Sequence, residues 1–330
     1  MKHELIALFL IATAAYADDP QFSGFVDIQF AWNDNRPANH ENFFPGAGTT
    51  AKRANEFAVN LAQVQWSRAV SAEQPVGFTL ALVAGEGADV VHGGDDTFRH
   101  LYQASVAYRF SDALAIEGGV YPSHIGMEGF YTKDNWNYTR SIMGEASPYF
   151  QTGVKATYAF NDHWSGRVDL LNGWQNIRDD DDNKSIGTQV AYTDASLTAA
   201  FNTFIDVERK FADVVIVYRA NPRFQLGAAI DIGTENDADW YGAVAYARYA
   251  INEHAAIAFR AEHFSDPDNG ITGFAQTINE GTLTFELRPH DNLILKLEGR
   301  YDKSDAGVFF RKDATTDSQF LALAGVVVTF

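Results

Sequence analysis

The chain has 330 residues and carries 43 acidic against 25 basic side chains, so its net charge of -18 argues against nucleic acid as a partner. It has no cysteine, and its stability must therefore come from a large core or from a closed hydrogen-bonded architecture. After the amino-terminus, no stretch approaches the roughly 18 apolar residues that a membrane helix needs. The membrane option that remains is a β-barrel.

Residues 1–17 have the features of a secretory signal. Lys2 lies at the start, an apolar run covers residues 5–12, and the small residue Ala17 is suited to cleavage. We therefore expect an exported protein in which residues 18–330 form a single domain.

From Gly24 onward, apolar and polar residues alternate with a period of two in segments of about ten residues, which predicts β-strands. Seven short turns alternate with longer polar connections, a separation by length that a soluble sandwich would not show. The pattern predicts an all-β transmembrane barrel of about sixteen antiparallel up-and-down strands, with both chain ends on the short-turn side. The long connections are expected near residues 33–54, 85–98, 122–148, 175–184, 206–212, 233–239, 265–272 and 303–317.

Charged residues in these strands nearly all share one parity, and apolar residues occupy the other. In a barrel, the apolar face meets lipid and the polar face lines the lumen. The predicted lining contains both signs in equal number and should give no strong charge selectivity. It consists of Asp27, Arg109, Glu117, Lys155, Arg167, Asp169, Arg219, Asp231, Arg260, Glu262, Glu286, Lys296, Glu298 and Arg300.

Two strands depart from this alternation. Between Leu61 and Val64 the apolar parity changes, which predicts a β-bulge. Arg248 falls on the apolar parity beside a short turn, from which its long side chain could reach the membrane interface.

The segment 119–158 contains a distinctive combination of residues. Pro122, Gly126 and Glu128 form a Pro-x-x-x-Gly-x-Glu turn, and residues 137–141 read Asn-Tyr-Thr-Arg-Ser. In these features the segment resembles the β-barrel porin-2 (OmpL-like) family of bacterial outer-membrane proteins. The resemblance implies a porin-like channel with short periplasmic turns and long external loops, and it implies no particular substrate.

Residues 122–148 form the third long connection, and we expect them to fold into the barrel and narrow the pore, as the third loop does in sixteen-stranded porins. The alternative is a loop that only roofs the mouth. We expect Glu128 and Arg140 to face permeating solutes, although these two charges could instead pin the loop in place. The charges of this predicted constriction are Glu128, Lys133, Asp134, Arg140 and Glu145.

The acidic run from Asp179 to Asp182 superficially suggests calcium binding. The EF-hand spacing fails, because Lys184 stands where glycine is required and Val190 where the bidentate glutamate should be. A solvated acidic loop is the better interpretation, with loose divalent-ion binding among lipopolysaccharide phosphates as the alternative.

The last strand ends in the aromatic residue Phe330, and Phe320, Val326 and Val328 share its apolar parity. This strand resembles the terminal signal that outer-membrane barrels present to their assembly machinery. The expected partners are therefore that machinery, outer-membrane lipid and lipopolysaccharide.

These features predict an outer-membrane porin for passive diffusion of small hydrophilic solutes, with no cofactor, metal or catalytic site. A plugged structural or adhesive barrel is the alternative, and a barrel enzyme such as a phospholipase is a weaker one. If the wall charges cancel, the acidic external loops should concentrate cations at the outer mouth. A homotrimer is expected by analogy with sixteen-stranded porins.

Overall fold

The computed structural model describes residues 19–44, 48–92, 97–179 and 182–330. The predicted signal sequence, residues 1–17, lies outside the described residues, as do Asp180 and Asp181 of the acidic run. Sixteen antiparallel strands form a closed barrel, and two further short strands pair with each other in the last external connection. The predicted fold and strand number are confirmed.

The barrel strands are β1 (Gln21–Asn33), β2 (Phe57–Arg68), β3 (Val76–Ala84), β4 (Leu101–Arg109), β5 (Leu114–Pro122), β6 (Phe150–Ala159), β7 (Trp164–Leu171), β8 (Ser185–Thr193), β9 (Leu197–Ile205), β10 (Arg209–Arg219), β11 (Phe224–Glu235), β12 (Ala238–Ala250), β13 (Ala255–Asp266), β14 (Gln276–His290), β15 (Leu293–Ser304) and β18 (Ser318–Thr329). The small hairpin consists of β16 (Phe309–Arg311) and β17 (Ala314–Thr316). Two helices, α1 (Glu86–His92) and α2 (Ile142–Ala146), and a 3-10 turn (Thr132–Asp134) lie in external connections. In the described part of the chain, no helix has the length and apolar character needed to cross a membrane.

The first and last strands close the barrel, and Phe25 in β1 lies opposite Thr329 in β18. Phe330 extends this pairing, because its main-chain N–H and C=O both bond to Gly24 at 3.0 Å. The chain ends therefore lie on the short-turn side, as the sequence predicts.

The two faces of the wall are also as predicted. Val154, Val168 and Leu170 point outward with more than half of their surface exposed, whereas Asp27 and Asp169 point inward and are fully buried. Outward apolar residues surround the barrel with a surface suited to lipid.

A bulge is present in β2, one residue before the predicted stretch. The register with β1 shifts between Asp27 and Ile28, which leaves Asn60 as the extra residue between Val59 and Leu61. Both Asn60 and Leu61 are consequently buried on the inner side.

The predicted position of Arg248 is wrong. Trp240, Val244 and Tyr246 occupy the inner face of β12, and Arg248 shares their parity, so it points inward and donates to Glu286 at 3.0 Å. Three small alanines form the middle of the outer face of this strand, which makes the inner aromatic residues look like the lipid-facing set.

Two of the eight long connections are instead tight turns. Residues 206–208 join β9 to β10, and residues 236–237 join β11 to β12. Asn236 and Asp237 have φ angles of 51° and 66°, which is typical of a type I′ hairpin turn. The polar residues on either side extend the strands and do not form loops.

The opposite environments of neighbouring residues in β3 give a test of the register. Leu80 points outward and is exposed, whereas Thr79 points inward and is half-buried. We expect Leu80→Arg to lower stability by about 2–4 kcal/mol, because arginine would face hydrocarbon near the middle of the membrane. Thr79→Arg should have a smaller effect, measured by denaturant titration of protein folded into lipid vesicles. Equal losses in the two variants would contradict the register.

Candidate functional site

The third external loop, L3 (residues 123–149), lies across the barrel. Gly126 donates its N–H to Asp213 in β10 at 2.7 Å, while the Thr132 hydroxyl donates to Asp27 in β1 at 2.7 Å. These two strands lie on nearly opposite sides of the closed ring. L3 is therefore in contact with inward-facing side chains on both sides of the lumen, where irregular backbone is tolerated.

Two wall carboxylates bind main-chain N–H groups of L3. Glu298 accepts from the N–H groups of Tyr138 and Thr139 at 2.6 and 3.0 Å. Glu262 accepts from Ile142 and Met143, each at 2.7 Å. The last two N–H groups belong to the first turn of α2, which cannot satisfy them internally.

Three wall bases bind main-chain carbonyls of the same loop. Lys296 donates to the carbonyls of Thr132 at 2.8 Å and Asn135 at 2.5 Å. Arg300 donates to the carbonyl of Arg140 at 2.6 Å, and Arg260 donates to a further L3 carbonyl. These predicted lining charges thus face inward but hold L3, and none of the three is more than 1% exposed.

The expectation that Glu128 and Arg140 face solute is wrong, because both side chains are buried. The Glu128 carboxylate accepts from Arg260 at 2.8 Å and from the main-chain N–H of Ser141 at 2.7 Å. The Arg140 guanidinium donates to the Glu128 carbonyl at 3.1 Å and lies over the ring of Tyr149. Both charged side chains therefore hold the loop in place, which is the alternative role considered for them from the sequence.

The other three charges of the predicted constriction are divided between interior and surface. Glu145 is buried and accepts from the main-chain N–H of Thr49 in the first external loop at 3.0 Å. Lys133 and Asp134 form an ion pair at 2.8 Å and keep part of their surface exposed. They are the constriction charges that remain accessible.

Four glycines of the wall leave the space that L3 side chains occupy. A Cβ atom added at any of them would overlap an L3 side chain, so each glycine is a socket for one residue of the loop. This complementary fit indicates one fixed position for L3. The pairs are Gly187 with His124, Gly227 with Met127, Gly242 with Met143, and Gly325 with Tyr138.

On one side of the barrel, inward-facing residues near the short turns are half-buried and polar. We call this surface the polar strip. By contrast, inward residues of the opposite wall such as Val217, Ala258 and Ile294 are less than 5% exposed. The accessible part of the lumen therefore runs along β2 to β7. The polar strip consists of Gln65, Ser67, Thr79, Gln103, Glu117, Lys155 and Thr157.

Charged residues beside and within the polar strip are paired, either across neighbouring strands or within one strand. Lys155 and Glu117 form an ion pair at 2.8 Å, and Arg167 contacts Asp169 at 2.6 Å. Arg219, at the short-turn end of β10, has a neutral partner and donates to the Thr198 hydroxyl at 3.1 Å.

An aromatic cluster lies at the outer end of the polar strip. Neighbouring rings in this cluster have centroids 4.9 to 5.8 Å apart. Beside it, Ala81 and Val120 are buried on the inner face, and α1 packs against the same core. The sequence pattern does not reveal this cluster, because its members come from three separate parts of the chain. The aromatic cluster consists of Phe25, Tyr102, Phe130, Tyr131 and Tyr149.

Cavities beside L3 are small. Two of about 10 Å³ each adjoin Met127, Glu128 and Tyr246, and each is large enough for a single water molecule. Among the residues that the structure describes, no group of three or more His, Asp or Glu side chains is arranged to hold a metal ion.

Comparison with solved structures gives the same architecture. An anion-selective porin from Comamonas acidovorans aligns with a TM-score of 0.62 at 10% identity, covering 94% of this chain and 99% of its own. A triple mutant of the Rh. blastica porin aligns with a TM-score of 0.61 at 13% identity, covering 94% and 100%. A loop-deletion mutant of OmpT from Vibrio cholerae aligns with a TM-score of 0.60 at 11% identity, covering 94% and 99%. At these identities, the likeness concerns the fold.

Comparison with protein families gives the assignment. No curated protein matches the chain. The family model described as "Putative beta-barrel porin-2, OmpL-like" matches residues 20–330, which include all the barrel strands. The chain therefore belongs to this OmpL-like porin family and is a β-barrel channel protein of the bacterial outer membrane.

Proposed function

We propose that the barrel is a passive channel for small hydrophilic solutes and ions, and that it catalyses no reaction. The observation that carries this proposal is the polar strip, where inward side chains below L3 remain half-buried while the opposite wall is covered. Polar side chains of this kind can replace part of the hydration of a passing solute. Solutes would enter along β2 to β7 and pass between L3 and this wall.

The narrowest part of the path is then the aromatic cluster. Its rings are packed at contact distance, and Tyr131 lies between Phe25 and Tyr102 at centroid distances of 4.9 and 5.1 Å. The Lys133 ammonium lies 5.6 Å from the centre of the Tyr131 ring, so a charge borders the same constriction. A bore of this type favours small solutes and a low unit conductance.

A plugged structural or adhesive barrel is the second candidate. It is supported by the hydrogen bonds that fix L3 to the wall and by the small size of the cavities beside it. A plugged barrel would insert into a planar bilayer without producing discrete conductance steps. Single-channel recording of the unaltered protein separates the two candidates.

The assembly signal and the oligomer also belong to this proposal. Phe330 is 62% exposed on the outer surface at the closing seam, with the Phe22 ring 6.3 Å away, so the terminal ring is accessible to a membrane-bound assembly factor. We further propose a homotrimer among lipopolysaccharide molecules, which is testable by the mass of the detergent-extracted particle.

Removing the Tyr131 ring should widen the path. The Tyr131 hydroxyl has no hydrogen-bond partner within the described residues, so Tyr131→Ala removes packing without leaving a buried partner unsatisfied. We expect a larger unit conductance in planar bilayers at high salt.

Trp136→Ala is the matched control. This ring belongs to the same loop but contacts Tyr246 in β12, on the side away from the polar strip. Its removal should leave conductance nearly unchanged. A similar increase in both variants would indicate general loosening of L3, and no increase with Tyr131→Ala would place the constriction elsewhere.

The two ends of the path differ in the charge of their inward-facing residues. Inward bases exceed inward acids near the short turns, where Arg109, Arg219, Arg248 and Arg288 lie, whereas the external connections have an acidic excess. The acidic external loops should favour cations, whereas the inward-facing arginines near the short turns should favour anions. We expect an asymmetric current–voltage relation at low salt that disappears at high salt, because the screening length falls from about 10 Å at 0.1 M to about 3 Å at 1 M.

Arg219→Gln should reduce this asymmetry, since Arg219 forms no ion pair with an acid among the residues that the structure describes and its recorded partner is the Thr198 hydroxyl. Arg223→Gln, at an exposed position in the adjoining turn, is the control. A symmetric current in 0.1 M salt would refute the opposed charge distribution.

A further inference from the structure

Three hydroxyl side chains form a row on the inner face of the polar strip, which we call the hydroxyl row. Ser67 in β2, Thr79 in β3 and Ser105 in β4 are successive partners in the strand register, so they lie side by side at one height of the wall. Thr79, in the middle, is half-buried, and its hydroxyl makes no hydrogen bond within the described residues. Because a hydroxyl can both donate and accept, this group is available in both senses to a molecule in the lumen.

Two half-buried glutamines extend the hydroxyl row toward the aromatic cluster. Gln65 and Gln103 lie on either side of Ala81 in the register. Gln65 Nε2 donates to Ser67 Oγ, and Gln103 Nε2 donates to Ser105 Oγ, both at 3.2 Å. These bonds orient the two amides, and each amide nitrogen keeps a second N–H that these bonds do not use. The wall therefore presents uncharged donors and acceptors next to each other.

Small residues lie beside the hydroxyl row and form a shallow trough. The row continues from Ser105 through Gly119 in β5 and Gly153 in β6, and Gly77 and Ala107 are partners one step nearer to the short turns. A Cβ atom added at any of these three glycines would be nearest to atoms of the wall or of the β2–β3 connection, and not to L3. By contrast, L3 side chains occupy the glycine sockets of the opposite wall. The trough therefore belongs to the part of the lumen that L3 does not fill.

The charges that border the trough cancel each other. Glu117 is the register partner of Ala107, and it forms an ion pair with Lys155 in the next strand at 2.8 Å. The Lys155 ammonium also lies 4.3 Å from the centre of the Tyr121 ring, which holds it on the wall. Separating the two charges to bind an ion or a zwitterion would leave each without its partner, which is costly in a half-buried position. The trough therefore offers hydrogen bonds but no net charge.

We propose that the hydroxyl row and its two glutamines select small uncharged polyhydroxylated solutes, such as pentoses, and bind them weakly during passage. This inference rests on the proposed channel function and names its substrate class. Each hydroxyl of such a solute donates and accepts, as do the side chains of the row, so the solute can exchange bonds to water for bonds to the wall. An inorganic ion gains no counter-charge there and keeps its hydration. Uptake of the polyhydroxylated solute should therefore be saturable.

The test measures initial rates of radiolabelled D-xylose and glycine uptake into proteoliposomes, together with the unit conductance of the same protein in KCl. We expect the xylose rate to saturate with concentration, whereas the rate for glycine, a small zwitterion, should rise linearly. A conducting barrel with a linear xylose rate would overturn this inference alone. A barrel that neither conducts KCl nor admits either solute would instead contradict the proposed channel, and the inference would fall with it.

Removing one hydroxyl tests the row itself. Thr79→Val changes the side-chain volume little and leaves no described partner unsatisfied. The ratio of xylose uptake at low concentration to KCl conductance should fall about two- to tenfold, the effect of one hydrogen bond. Thr188→Val is the matched control, because this hydroxyl lies on the outer face of β8, where it bonds to Thr203 at 2.7 Å. Its ratio should equal that of the unaltered protein.

Gln103→Leu is a second variant of the selecting side chains, and it should lower the same ratio. Circular dichroism and gel mobility before heating establish that each variant is folded. An unchanged ratio in both Thr79→Val and Gln103→Leu overturns the proposal, and so does an equal fall in Thr188→Val. Saturation with glycine but not with xylose would also overturn it, because selection would then belong to the ion pair.

Discussion

An irregular chain segment can persist inside a membrane barrel only if its main-chain polar groups have partners, and the structure depends on how this requirement is met. Acidic and basic side chains of the wall both supply these partners. Glu262 and Glu298 accept from N–H groups of L3, and Lys296 and Arg300 donate to its carbonyls. The same bonds satisfy the wall charges, which would otherwise be buried and unpaired. Wall and loop are therefore stable only together.

This arrangement divides the interior into two unlike halves. L3 packs closely against the wall from β10 to β18, where inward residues such as Val215 and Tyr246 are buried with it. The side from β2 to β7 keeps its polar residues accessible near the short turns. The position of the loop, and not the number of strands alone, decides where water can enter. A barrel of porin size can in this way contain a narrow and eccentric path.

The sequence predicts the barrel well because every strand faces lipid on one side. Every second residue of a strand must therefore be apolar, and this alternation is visible in the sequence. Prediction fails where the inner side is also apolar. In β12, Trp240, Val244 and Tyr246 face inward against L3, so both faces look apolar and Arg248 was assigned to the wrong one. The role of Glu128 depends on Arg260, which lies 132 residues away in the chain. Glycines within strands indicate close packing, but only the folded structure shows which loop side chain occupies the space at each glycine.

The socket at Gly325 also has a consequence for the order of assembly. Gly325 lies in the last strand, and the Tyr138 ring that it receives comes from the middle of the chain. The fit of this ring and the pairing of β18 with β1 both depend on the position of the last strand, and both bring together distant segments at an entropic cost of loop closure. Until it occurs, β1 has an unpaired edge that could join a neighbouring chain. A third loop held out of place would therefore obstruct the closing seam, because the Tyr138 ring and Gly325 must fit together when β18 pairs with β1.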